Sequence, residues 1–302
     1  MIFARDKSQM CNNLLQYAHV YAWGREHGRK VISMRFSYKY QYFHICHTSL
    51  TGFGWYLFAK YMSALKLLPT ASFKHSDCDR EALERKMLRH KHIVVSGWNV
   101  RFYDLFLKYR DEICELFTLD EQYTAPVKDK MDEARRSLHA LRLIEMTRGG
   151  AVMSSAPSSV MSSEVETSLT LGVHIRRGDY AQWQNGQYYF DDAVYAAHIN
   201  RFAELHPDKT IHVFLSTNDS QVSAEAYQQA CPKVVIHHFK GSAPEDLFML
   251  SGCDYLIGPP STFSLVAAMY RDIPLYRMDV ADEQQMTPES FRLFDYWFRR
   301  IL

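Results

Sequence analysis

Leu169-Thr170-Leu171-Gly172-Val173-His174-Ile175 is an apolar run that stops at the polar stretch Arg176-Arg177-Gly178-Asp179-Tyr180. Its length and branched side chains read as a buried strand, and the arginines mark where it leaves the core. The pattern recurs downstream, where Ile211–Leu215, Val234–Ile236, Tyr255–Ile257 and Leu275–Met278 are short apolar strands. Helical segments near 191–205, 220–230, 243–251 and 261–271 separate them, and a last one spans roughly 288–300. Two helix starts carry their own signals. Ser242 followed by Glu245 is a capping-box pattern, and Thr287-Pro288 is a cap followed by a first-turn proline. Strand–helix alternation of this kind builds a doubly wound parallel sheet, so the fold class is α/β.

Upstream the signal is sparser. Residues 9–27 read as a helix ended by Gly28, and Val31–Phe36 as a strand. A second strand, Ile93–Val95, leads into Gly97-Trp98, and helical patterns follow near 103–117 and 127–148. Gly149-Gly150 stops the last of these, and serines crowd the stretch that follows. The expected division is therefore an N-terminal α/β domain at 1–150, a Ser-rich linker at 151–168 and a C-terminal domain at 169–302. The final helix is a candidate to pack back on the N-terminal domain.

Composition narrows the function classes. The 302 residues are 47% hydrophobic and 23% charged, which fits a folded globular chain with a sizeable core. A formal charge of +1 argues against a nucleic-acid partner. The halves differ, however: 24 Lys/Arg and 16 Asp/Glu in residues 1–150 against 11 and 18 in residues 151–302. Two domains that attract each other would show this asymmetry, and so would a basic face meant for an anionic surface. Six scattered cysteines without a Cys-x-x-Cys read as reduced thiols. Together with an N-terminus that lacks the apolar core of a signal peptide, they lead to the expectation of a cytoplasmic protein. The greasiest stretch, Thr51–Leu68, is broken by Lys60 and Lys66. It fits a core or acceptor-cleft helix, or peripheral contact with the inner face of a membrane.

Three polar clusters follow predicted strands directly, and in open parallel sheets ligands bind just beyond those ends. His174–Tyr180 leaves the first strand, Ser216-Thr217-Asn218-Asp219 the second, and Gly258-Pro259-Pro260-Ser261-Thr262-Phe263-Ser264 the fourth. In the last cluster Ser261 and Thr262 stand at a helix N-terminus, where backbone N–H groups favour an anion or a serine simply caps the helix. Two adjacent arginines at a strand end are costly to bury without a counter-charge. Side chains alternate along a strand, so His174 and Arg176 share one face and Arg177 takes the other. One guanidinium can then grip a diphosphate while its neighbour braces the loop against an acid. Asp219 can accept hydrogen bonds from a base or ribose, or cap a helix. Asp179 is a candidate general base, with pairing to Arg177 or capping of the turn as the alternative role.

Other motifs are set aside. Asp77-Cys78-Asp79 has the Asp-x-Asp form of metal-dependent glycosyltransferases, yet it precedes a charged helical run where acids favour a helix start. His44-Ile45-Cys46-His47 crowds potential ligands without a second pair to complete a zinc site. No Walker loop and no Gly-x-Gly-x-x-Gly is present.

His174-x-Arg176-Arg177-Gly178-Asp179-Tyr180 resembles the signature of the α-1,2-fucosyltransferase family (GT11), itself similar to the α-1,6 and protein O-fucosyltransferases. Phe214-Leu215-Ser216-Thr217-Asn218-Asp219 resembles that family's second block. Asp246–Ser251 with Ser261-Thr262-Phe263-Ser264 resembles the third, and Asn12–Ala18 an N-terminal stretch. Gly97-Trp98 and Arg101-Phe102 are also similar. The blocks occur in family order over most of the chain. One departure stands out: Ser8-Gln9-Met10-Cys11 replaces the glycines that usually precede Asn12.

The resemblance implies a GT-B-like enzyme of two Rossmann-like domains, whose C-terminal domain holds GDP-fucose as co-substrate. It implies metal-independent, inverting transfer to the 2-hydroxyl of a terminal galactose on a glycan. Arg176 would bind the β-phosphate, and Asn12, His174, Ser216, Asp219, Ser261 and Thr262 would contact the donor. The alternatives are a fucosyltransferase of other linkage or acceptor, peptide included, and a GDP-sugar-binding protein without transfer activity.

Overall fold

The computed structural model describes residues 1–5, 8–148 and 168–301, with backbone alone for 135–148. The chain divides into two compact units, Met1–Asp120 and Glu121–Leu302. This corrects the expected boundary at residue 150. The helix at Glu121–Arg148 groups with the second unit, and it starts six residues before the expected 127. The Ser-rich linker lies outside the described residues apart from Ser168.

The first unit is a four-stranded parallel sheet in the order β2-β1-β4-β3. Its strands are β1 (Ile2–Arg5), β2 (Val31–Ser33), β3 (Thr70–Ser72) and β4 (Ile93–Ser96). Two of these carry no strong sequence signal: β1 holds four residues ending in an arginine, and β3 is Thr-Ala-Ser. Neighbouring strands, not propensity, make them extended. Helix α1 (Met10–Glu26) is buried nearly all round, as a helix inside a core must be. Its polar members fix the loop ahead of it. Asn13 exchanges hydrogen bonds with the backbone of Ser8 (2.8 and 3.2 Å), and Gln16 donates to the Arg5 carbonyl at 3.0 Å. His19 accepts from the Phe102 N–H at 3.0 Å, and burial lowers its pKa to about 3, so the ring is neutral. Helix α2 (Phe53–Ala64) follows β2, and α3 (Arg80–Arg89) follows β3. Asp79 caps α3 by accepting from the Ala82 N–H at 2.9 Å, in line with the helix-start reading of Asp77-Cys78-Asp79. The expected helix at 103–117 is two, α4 (Tyr103–Lys108) and α5 (Arg110–Leu116).

The second unit opens with α6 (Glu121–Arg148) and carries a five-stranded parallel sheet in the order β7-β6-β5-β8-β9. The strands are β5 (Ser168–Ile175), β6 (Thr210–Thr217), β7 (Val235–His237), β8 (Tyr255–Gly258) and β9 (Leu275–Arg277). Helices α7 (Asp192–Leu205), α8 (Ala224–Ala230), α9 (Ala243–Ser251) and α10 (Thr262–Met269) connect them in turn. Central strands β5 and β6 pair over eight residues, from Ser168↔Thr210 to Ile175↔Thr217. Their inward side chains, among them Leu171, Val173, Ile175, Val213 and Leu215, form the core with Tyr195, Ile199 and Phe202 of α7. Burial of this aliphatic layer is the main favourable term for the unit. The closing helix, α11 (Phe294–Phe298), is shorter than expected and is anchored in its own unit: the Trp297 indole donates to the Leu275 carbonyl at 2.8 Å. Among the described residues no helix is long and apolar enough to cross a membrane.

Gly97 ends β4 with φ +110°, and a Cβ there would stand 2.2 Å from the Phe73 carbonyl carbon. Replacement by alanine must therefore strain the backbone and push the β3 and β4 exits apart. We expect Gly97→Ala to lower the unfolding free energy by about 2 kcal/mol or more, read as a fall in melting temperature. An unchanged melting curve would contradict this packing.

Candidate active site at the sheet switch point

Strand order in the second unit reverses between β5 and β8, and open parallel sheets bind ligands beyond the carboxyl ends at such a point. The loops leaving these two strands are the ones that carry His174–Tyr180 and Ser261–Ser264. They meet directly. The His174 Nδ1 and the Ser264 hydroxyl share a hydrogen bond of 2.8 Å, and the His174 and Phe263 rings lie 5.0 Å apart. The Tyr180 hydroxyl donates to the Pro260 carbonyl. Gly258 makes the approach feasible: a Cβ there would sit 2.9 Å from the Ser264 Oγ and 3.1 Å from the His174 Cβ. Any side chain would wedge β5 from the α10 start.

The two arginines take different fates, as alternation along the strand predicts. Arg177 is 7% exposed. Its guanidinium bridges Asp192 (2.5 Å) and Asp219 (3.0 Å), and its Nε donates to the Phe190 carbonyl at 3.2 Å. Burial opposes its charge, but the Asp192 and Asp219 carboxylates more than offset that and hold it protonated. Asn218 completes the brace, accepting from the Arg177 N–H (2.8 Å) and donating to its carbonyl (3.1 Å). Arg176 is held differently. Its guanidinium lies over the Tyr180 ring at 5.6 Å and pairs with Asp179 at 2.8 Å, while the side chain keeps 22% exposure. Its backbone N–H donates to the Tyr195 hydroxyl at 3.3 Å. Asp179 thus pairs with Arg176 rather than Arg177, a correction to its expected structural partner.

The remaining candidates divide in the same way. Ser261 caps α10 by accepting from the Phe263 N–H at 3.2 Å, and Thr262 is the first helical residue, so both stand at the helix N-terminus beside His174. Burial, then the nearby Arg176 charge, lowers the His174 pKa to about 3, which keeps the imidazole neutral. Asp219 is taken up by Arg177 and by the Gln221 N–H at 2.9 Å, and these contacts, the backbone one first, hold its carboxyl below the usual range. Ser216 is buried and donates to Asp246 Oδ2 at 2.8 Å. Asn12 belongs to the first unit, where its Nδ2 donates to the Ser8 hydroxyl at 2.6 Å.

Two carboxylates escaped the sequence reading as site residues. Asp192 was hidden in Asp191-Asp192, which reads as a helix start. Asp191 does cap α7, accepting from the Val194 N–H at 3.0 Å, but its neighbour turns to Arg177 and the Tyr227 hydroxyl (2.8 Å). Asp246 looks like a first-turn acid. Burial instead pushes its carboxyl up to about 7, against the stabilising Ser216 contact. No local signal marks either, because both depend on strands joined across the sheet. A separate cavity of about 250 Å³ lies by β9, between Arg277, Arg292 and Trp297. There Arg277 is stacked on Trp297 (4.4 Å) and paired with Asp279.

The chain is similar in fold to a mutant of Arabidopsis thaliana FUT1 in complex with GDP, with a TM-score of 0.58 and 12% identity over 97% of this chain and 73% of that one. It is likewise similar to POFUT1 in complex with GDP-fucose, with a TM-score of 0.55 and 10% identity over 90% of this chain and 94% of that one. No protein-family model matches the sequence, and no curated protein matches it. The likeness shows the fold, a GT-B-like one with two parallel α/β units.

Two outcomes follow from the charges. Arg177→Ala removes a buried guanidinium and its two ion pairs, but the carboxylates it leaves reach solvent, so stability should fall by about 1.5–3 kcal/mol; a melting shift of under a degree or two would refute the brace. For Asp246, the folded carboxyl keeps a proton that the unfolded chain releases. Its contribution to stability is therefore lost as pH rises from about 4 to about 7. Asp246→Asn should raise the melting temperature near pH 8 and leave it unchanged near pH 4. Equal shifts at both pH values would contradict the assignment.

Proposed function

We propose that the chain transfers L-fucose from GDP-fucose to the 2-hydroxyl of a terminal galactose on a glycan, with inversion and without a metal ion. The observation that carries this reading is the meeting, at the switch point of the second unit, of the Arg176 loop with the helix N-terminus at Ser261. A preset cation and a set of backbone N–H groups on adjoining strand exits fit a diphosphate. The motif resemblance supplies the sugar and the acceptor. FUT1 and POFUT1, solved with GDP or GDP-fucose, add support for a guanosine nucleotide.

In this mechanism the bond from the anomeric carbon to the β-phosphate oxygen breaks and its electron pair leaves with GDP. The galactose O2 forms the new bond on the opposite face, and its proton passes to a base. Arg176 meets the charge that develops on the leaving phosphate. A guanidinium stays charged at any working pH and offers two parallel hydrogen bonds. His174, neutral and locked to Ser264, offers a hydrogen bond without adding charge. Ser261 and Thr262 keep the α10 N-terminus turned to the anion. Asp219 and Ser216 act through their partners: Asp219 fixes Arg177, and Ser216 fixes Asp246. Asp179 is the candidate base, and its pairing with Arg176 also lets it aim that guanidinium. Asn12, from the first unit, remains a donor contact in this reading.

GDP-fucose incubated with a panel of galactose-terminated and other acceptors should give an α-1,2-linked product by NMR, undiminished in EDTA. Arg176→Ala should fold normally and lose about 10²–10³ in kcat/KM. Near-normal turnover by that variant would refute the role. In Asp179→Asn a base role removes the acidic limb of the pH–rate profile, whereas an aiming role lowers the rate at every pH. Replacement of the usual glycines by Ser8–Cys11 favours one second reading, a binding protein. Tight GDP binding by calorimetry without turnover on any acceptor would establish that reading instead.

A further inference from the structure

Helix α2 of the first unit is an anomaly for a globular surface. Of its twelve residues only Ala59 is fully buried. Phe53 (58% exposed), Trp55 (41%), Phe58 (41%) and Tyr61 (58%) stand in solvent, and the turn after the helix adds Leu65 (66%) and Leu67 (62%). The cluster is ordered. Trp55 and Phe58 rest on Phe3 at 6.1 and 5.9 Å and on each other at 6.0 Å, while Phe53 packs on Tyr56 at 5.7 Å. Core contacts through Tyr56, Ala59 and Met62 hold the helix against the sheet, so the apolar side chains project outward from a fixed base. The turn is closed by Lys66 in a left-handed conformation (φ +59°), with the Leu67 N–H on the Met62 carbonyl at 2.9 Å. This places Leu65 and Leu67 on either side of a lysine.

Charge says what covers this face. From His27 to Ser76 the chain contains seven Lys/Arg and no Asp or Glu, although the whole chain is balanced to within one charge. Three of these cations border the aromatic cluster. Lys60 lies over the Tyr56 and Tyr61 rings at 5.6 and 5.7 Å. Arg35 lies over Tyr38 at 5.7 Å, and that ring sits 4.4 Å from Tyr56. Lys66 is exposed on the turn itself. Aromatic rings, leucines and long cations on a ridge are the side chains that seat at a lipid–water boundary, where rings and alkyl stems enter the acyl edge and cations stay among headgroups. A projecting ridge of this kind can lie along a lipid–water boundary, and the cations around it favour a boundary that is anionic. We propose that α2 and the Leu65–Leu67 turn form a docking surface for an anionic phospholipid bilayer, holding the enzyme at a membrane without spanning it. The proposal does not depend on the reaction assigned to the second unit.

Sedimentation of the whole chain with vesicles of phosphatidylcholine, with or without phosphatidylglycerol, tests it without any activity assay. We expect partition onto the anionic vesicles to exceed that onto neutral ones by at least about tenfold near 0.1 M salt, and to collapse near 1 M. Lys60→Glu with Lys66→Glu should lower it by at least about thirtyfold. Serine at Phe53, Tyr61, Leu65 and Leu67 together should abolish it with all charges kept, and Leu67→Ser alone should weaken it should the quadruple variant misfold. Leu293→Ser, at a leucine in the second unit that is 49% exposed, should bind like the parent. No preference for anionic vesicles, or undiminished binding by folded α2 variants, would overturn the proposal. So would self-association in the ultracentrifuge that the same variants remove while vesicles capture nothing, since the occupant would then be a second copy of the chain.

Discussion

Arg177, buried between Asp192 and Asp219, is the interaction on which the candidate site rests. A guanidinium out of water demands counter-charge and hydrogen-bond acceptors, and here two carboxylates and the Phe190 carbonyl supply both. The demand has a geometric consequence. Once Arg177 is drawn to the β6 and α7 side, strand alternation turns Arg176 the other way, toward Tyr180 and β8. Asn218 clamps both backbone groups of Arg177, which fixes the direction in which each arginine leaves the turn. One arginine is consumed structurally so that the next can remain partly exposed with a fixed direction.

The β8 side is built to meet it. Gly258 lets His174 and Ser264 touch, and Tyr180 reaches the Pro260 carbonyl, so the two strand exits form one rim. The same arrangement lowers the proton affinity of His174 and leaves a neutral ring beside a cation. Farther along the rim the logic inverts: burial raises Asp246, with Ser216 as its hydrogen-bond donor. One sheet edge therefore carries both a fixed cation and polar groups that burial keeps neutral.

The first unit uses polar side chains for a different end. Asn13, Gln16 and His19 are buried polar residues on a largely apolar helix, and each is tied to backbone at the end of β1 or in the segments that follow β1 and β4. The family-like stretch at Asn12–Ala18 is thus in good part a clamp on the loop that holds Ser8. The Ser8 hydroxyl, within the stretch where the resembled family has glycines, accepts a hydrogen bond from Asn12 there. Meanwhile α2 covers Phe3 with Trp55 and Phe58 yet leaves Phe53 and Tyr61 more than half exposed.

Much of this was legible in the sequence. The five strands of the second unit, their helices and the three polar clusters at strand ends all come from local periodicity, which depends on residues a few positions apart. The opposite fates of Arg176 and Arg177 also follow from alternation. Tertiary structure decided the rest, because it depends on residues that the sheet joins across tens of positions. It recruited Ile2–Arg5 and Thr70–Ser72 as strands, since pairing with β4 outweighs their weak propensity. It assigned Glu121–Arg148 to the second unit through packing on α9, which no composition shift announces. And it chose partners: Asp192 and Asp219 for Arg177, Asp179 for Arg176, Asp246 for Ser216. Electrostatic pairing follows distance in space, and chain order alone does not contain those distances.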